Sequence, residues 1–328
     1  MAPLRNIYQQ QAHNKRLTLL VMGMFVLFLA LLGLGFDFFY LGTISESAFL
    51  PLGTLLAAGA GSASAWWSFQ AGAKAVLSST GAMPLDANNP SHRQFLNIVE
   101  EMTIASGLPK PSVYIVPDSD PNAFATGKNP QQSSIAVTQG LLDTLTREEL
   151  QGVVAHEMSH IRNYDIRLMT VIAALMGTIL LLSDWARRAM WYGGGSRKGK
   201  RSGGAGGLAA ILLVVWIIGI ILAPVISQLM AFAVSRKREY LADASAAEMT
   251  RNPLGLASAL RKLENAAAPT ASIKRGAAHL CIVDPLGRKV NLKEGVTAEL
   301  FGTHPPIGKR ILALEAMAYQ FKTVTTSA

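Results

Sequence analysis

The sequence predicts a mainly α protein with a small β-sheet, in which membrane helices interrupt a water-facing domain. Half of its 328 residues are hydrophobic and its mean hydropathy is positive, a balance typical of a membrane protein with a soluble part. Four stretches, residues 17–36, 48–67, 168–183 and 208–234, carry no charge. Between them, helical and strand-like patterns alternate with turn residues.

Residues 1–16 are polar and basic, with Arg5, Lys15 and Arg16 and no acid, and are expected to stay in the cytoplasm. Residues 17–36 would make about 30 Å of helix, the thickness of a bilayer core. Residues 37–47 hold two acids and no Lys or Arg, so they belong outside. In residues 48–67, the small residues Gly53, Ala57 and Gly61 recur four apart and Trp66 and Trp67 close the run. The first pattern suits close helix packing, the second a membrane interface.

The first part of the soluble domain, residues 83–164, opens on a linker rich in Pro, Asn and Asp. A helix is expected over residues 90–106, stopped by Gly107 and Pro109, followed by strands over 112–116, 122–126 and 133–138. Thr146 with Glu149 three residues on is a capping box. It starts a helix whose apolar face is Leu150, Val153, Val154 and Ile161.

That helix carries His156-Glu157-Met158-Ser159-His160. Histidines one turn apart leave the same face and can hold one zinc ion, with Glu157 beside it as general base. A catalytic zinc takes three protein ligands. The metzincin pattern is excluded, because Asn163 and Ile166 stand where its Gly and third His would be. The gluzincin pattern needs a later Glu followed four residues on by an Asp that orients a histidine. After the motif, only Glu239 with Asp243 meets that condition, in a helix-favouring run at 236–244.

Segment 168–183 is short for a span, whereas 208–234 is long enough. The loop between them holds Arg187, Arg188, Arg197, Lys198, Lys200 and Arg201 against one acid. If both segments cross, this loop faces outside, against the positive-inside rule. Two readings stay open: a hairpin with an incompletely inserted first arm, or four helices in the membrane, which we favour. Either way, the site is expected at the cytoplasmic membrane face. The second part of the domain, residues 236–328, is expected to hold helices over 253–265 and 308–319 and an irregular stretch over 274–301.

The net charge of +9 is crowded beside apolar segments, which favours lipid contact over nucleic acid. The single cysteine, Cys281, excludes an intrachain disulfide and is expected to be a buried thiol.

The HEMSH motif, Asp165 five residues after it, Glu239 and Asp243 in REYLAD, residues 122–127 (NAFATG) and residues 303–306 (THPP) together resemble the HtpX family. These are bacterial membrane metalloproteases related to the CAAX prenyl protease, and the resemblance covers nearly the whole chain. It implies a multi-pass zinc endopeptidase of the inner membrane, with one zinc per chain and its site on the cytoplasmic side. It also implies quality control of misfolded or damaged membrane proteins, in partnership with a membrane AAA protease. Asn122, Ala123, Phe124 and Ala125 would line the cleft as an edge strand that holds an extended substrate, or Phe124 would simply be core. His304 would donate to the oxyanion, act as a fourth ligand, or only cap the turn at Pro305 and Pro306. Asp165 would support the zinc helix or cap its end.

Rival readings are weaker. In an intramembrane protease the motif lies within an apolar span, but here Arg147, Glu148, Glu149, Arg162 and Asp165 surround it. A zinc transporter would place its ligands in the membrane. A zinc-binding scaffold or chaperone-like protein without turnover would not need Glu157.

Overall fold

The computed structural model describes residues 7–38, 50–192, 236–266, 270–273, 277–283, 285 and 305–326. The candidate span 208–234 and His304 lie outside them. Helices α1 (Ile7–Phe36) and α2 (Leu52–Ser79) pack on each other and on α6 (Asp165–Tyr192). Next come β1 (Met83–Pro84), α3 (Pro90–Ser106), β2 (Ser112–Val116), β3 (Ala123–Asn129), β4 (Gln132–Thr138) and α4 (Gln139–Thr144). Helix α5 (Arg147–Arg162) carries the histidine motif, and α7 (Arg236–Thr250), α8 (Pro253–Asn265) and α9 (Ile307–Thr326) close the domain.

The local signals act where they were read. Thr146 and Glu149 form the capping box of α5, and Lys262 and Ser258 of α8 hold the same glutamate. Asn89 caps α3, and Gly107 ends it at φ 67°, a conformation that favours glycine. The sheet order is β1-β2-β4-β3, with β2 and β4 parallel and the other pairs antiparallel.

The sheet separates two cores, and alternation along its strands assigns each side chain to one of them. Ile115, Ala123, Ala125, Ile135 and Val137 face α3 and α5, whereas Val116, Phe124 and Ala136 face α2 and α6. Phe124 is therefore core, between the sheet and the apolar helices.

The described helices run beyond the apolar segments, though α2 starts only at Leu52. α1 starts ten residues before its uncharged run and α2 continues twelve beyond Trp67. Segment 168–183 lies inside a 28-residue helix. Counting uncharged residues measures the apolar run, but a helix ends only at a cap or breaker. Among the described residues, α1 alone is long and apolar enough by itself to cross a membrane. The stripe on α2 does face α1, since a Cβ at Gly33 would stand 2.4 Å from the Gly53 oxygen and 2.8 Å from the Ala57 Cβ.

Two packing constraints fix α5. Its axis turns 85° into α6 at Tyr164, a non-glycine residue at φ 60°. Its Gly152 lies against α8, where an added Cβ would come 2.8 Å from the Leu256 nitrogen. Gly152→Ala raises helix propensity by about 1 kcal/mol in an open helix. Here it is expected to lower the melting temperature of the detergent-solubilised chain; an increase would show that α5 and α8 separate freely.

Candidate metal centre

α5 presents His156 and His160 to α7, which brings Glu239 opposite them. The two Nε2 atoms are 3.2 Å apart, and the Glu239 oxygens stand 3.7 Å from His156 Nε2 and 3.6 Å from His160 Nε2. These three ligand atoms lie within 4.8 Å of one another and all three residues are buried. A tetrahedral ion with bonds of about 2.0–2.1 Å needs ligand atoms roughly 3.3 Å apart, so the set fits such an ion.

The far nitrogen of each imidazole meets a carboxylate. His156 Nδ1 is 3.0 Å from Asp243 Oδ1, and His160 Nδ1 is 3.0 Å from Asp165 Oδ2. Both rings are thereby turned to offer Nε2 inward. Asp243 in turn accepts from Arg310, with Nε donating to Oδ2 at 2.8 Å and Nη2 to Oδ1 at 2.7 Å. Arg310 is fully buried, donates to the Ile282 carbonyl and stands 3.7 Å from Glu239. Asp165 accepts from Asn14 of α1 at 2.6 Å and lies 3.6 Å from Arg238.

These surroundings set the charges. Burial pushes the Glu157 carboxyl up to about 7; His160 opposes this and Glu239 reinforces it. Neither Glu157 oxygen has a regular hydrogen-bond partner among the described residues. Burial disfavours a charged His160, but Asp165 and Glu239 outweigh it and raise the ring to about 9. Burial lowers His156 despite Asp243. Burial alone would raise Asp243, yet Arg310 brings it down to about 2.

The arrangement is two histidines and a glutamate around one point, with a second buried glutamate, Glu157, beside it. A family model for peptidase family M48 matches residues 91–318, which include all of these groups except Asn14. The chain belongs to peptidase family M48. It is 43% identical over 315 residues to a protease HtpX homolog of Caldanaerobacter subterraneus subsp. tengcongensis, covering 95% of this chain and 98% of the relative. A protease HtpX homolog of Thermoanaerobacter pseudethanolicus is 42% identical with the same coverage. One from Limosilactobacillus fermentum is 42% identical over 313 residues, 95% of this chain and all of the relative. Among solved structures, S. mikatae Ste24p is similar at a TM-score of 0.48 and 17% identity, covering 94% of this chain and 66% of that one. The chain is thus an HtpX-like metalloprotease, and its class is that of an enzyme rather than a scaffold.

In this M48 chain, the expected cleft strand is more closed than its sequence implied. Asn122, Ala123, Phe124 and Ala125 are all buried. Ile282 donates its N–H to the Ala123 carbonyl, and Phe124 bridges Cys281, whose thiol is buried as expected. The Asn122 side chain donates to Thr270 and to the Val283 carbonyl, so it fastens this segment.

Sequence reasoning missed Arg310 and Asn14. Arg310 carried a signal, because it stands in the apolar stripe of Ile307, Ile311 and Leu314, where a lone charge needs a buried partner. Asn14 carried none within its polar run.

Arg310→Met leaves Asp243 and Glu239 without their buried counter-charge, and is expected to cost about 3–5 kcal/mol in chemical unfolding. Because the folded Asp243 value lies below the ordinary 3.8, its stabilisation is present above about pH 4 and fades as the pH falls towards 2. A wild-type stability curve flat across that range would contradict the pairing. Asn14→Leu removes a donor to the carboxylate behind His160 and is expected to weaken metal binding about tenfold in chelator competition.

Proposed function

We propose that this chain is a zinc endopeptidase of the bacterial inner membrane that cleaves misfolded or damaged membrane proteins and unfolded polypeptides at its cytoplasmic face. The observation that carries the chemistry is the pairing of a metal-sized set, His156, His160 and Glu239, with a buried glutamate, Glu157, that no side chain holds among the described residues. One zinc ion held there supplies a Lewis acid for the scissile carbonyl and acidifies a water.

The protein's own groups do the rest. Glu157, raised to about 7 by burial, takes a proton from the attacking water near neutral pH and returns it to the leaving amine. Asp243 and Asp165 orient His156 and His160, and Arg310 balances the acids behind them. The Ala125 backbone N–H faces Glu157 and offers the substrate a hydrogen bond next to the reacting atoms. His304 is the candidate second donor to the oxyanion.

The membrane reading rests on surface chemistry. Leu19, Leu27 and Leu31 of α1 and Leu55, Leu56 and Trp66 of α2 are exposed, a band that water would not favour. With 208–234 as the last span, the domain is tethered at the interface, where membrane-protein segments reach it, beside any membrane AAA protease partner.

In purified full-length protein, the wild type is expected to bind one zinc per chain and cleave casein. Glu157→Gln is expected to keep the zinc and lose at least about 10²-fold in rate, whereas Glu239→Ala loses the metal. Retained cleavage by Glu157→Gln would remove its proton-transfer role. Retained zinc in Glu239→Ala would place the third ligand elsewhere.

A further inference from the structure

A cavity of about 370 Å³ lies between α2, α6 and the β3–β4 turn, and none of His156, Glu157, His160 or Glu239 lines it. Its lining includes four cations, Lys74, Lys110, Lys128 and Arg167, and no carboxylate. Lys110 is matched outside it by Glu100 at 2.6 Å. The other three gain no negative charge from the walls. Lys128 donates to the neutral Gln70 side chain at 2.7 Å. Arg167 stacks 4.7 Å over the Phe69 ring, and its buried Nε has no hydrogen-bond partner among the described residues. Ser112, Ser134 and Tyr114 add hydroxyls to the same walls.

Position narrows the ligand. The exposed Trp66 and Trp67 precede Phe69 on α2 by less than one turn, and the apolar run of α6 begins at Leu168, directly after Arg167. Both helices change from apolar to polar beside the cavity, the depth at which phospholipid phosphates lie.

We infer that this cavity binds a phosphate group through Lys74, Lys128 and Arg167, supplied by an anionic phospholipid headgroup or by free phosphate. The headgroup source rests on the membrane reading above; the phosphate chemistry does not.

The test uses the full chain in micelles, with phosphatidylglycerol, phosphatidylcholine and inorganic phosphate as probes and bound lipid read by native mass spectrometry. Wild type and Arg93→Gln, an exposed cation of α3, are expected to retain phosphatidylglycerol over phosphatidylcholine and to release it to inorganic phosphate. Lys74→Gln with Lys128→Gln is expected to weaken retention about thirtyfold while casein cleavage persists, which separates this site from the catalytic reading. Phosphate binding that the double variant loses, without any lipid preference, keeps the site and makes free phosphate its ligand. Equal binding of both probes by the double variant and the wild type overturns the proposal.

Discussion

The structure depends on a buried imbalance of charge. Glu157, Asp165, Glu239 and Asp243 stand together with almost no water, opposed by two guanidiniums, Arg238 and Arg310. Fully ionised, the group carries two surplus negative charges, which an interior of low dielectric does not tolerate unpaired. Two positions respond: His160 is raised to about 9 and Glu157 to about 7, both towards the protonated form. A divalent cation offers the same two charges at one point. A metal in this set would take the place of protons, so its binding would depend on pH.

Each element around the site answers to that constraint. The two aspartates are reached from opposite ends of the chain, Asp243 by Arg310 of α9 and Asp165 by Asn14 of α1. The polar start of α1 also grips the corner after the histidine helix. Gln11 and Asn14 donate to the Arg162 and Asn163 carbonyls, and Lys15 lies 4.2 Å over the Tyr164 ring. These contacts offset the cost of roughly 1–3 kcal/mol for the left-handed backbone at Tyr164. α1 and the imidazole of His160 are therefore connected through two side chains.

What was legible in the sequence is what short-range chemistry encodes. The spacing of His156 and His160, the capping box at Thr146 and the strands at 112–116 and 133–138 are local patterns, and the folded chain contains them. Glu239 was within reach only because its Asp at i+4 is itself a local signature. Helix lengths were not, since polar residues that continue α1 and α6 look like their ends when only hydropathy is counted. Asn14 and Asp165 are 151 residues apart and Arg310 and Asp243 67 apart, so no periodicity relates them. Phe124 shows a subtler limit. Its strand was correct, but the sheet lies between two cores, so both of its faces are buried and alternation could not tell cleft from interior.

The same sheet shows how the edge strand β3 is covered. An edge strand exposes a row of backbone groups that invites pairing with any extended chain. Here the Ala123 N–H meets its neighbour's Asn122 side chain, the Ala123 carbonyl meets Ile282, and the Gly127 N–H meets the Thr170 hydroxyl. Alternation leaves Ala125, between them, pointing the same way, and its N–H faces Glu157. Closing the edge on either side suppresses indiscriminate pairing with other chains. Among the described residues, the register position between them is left to the Glu157 carboxylate.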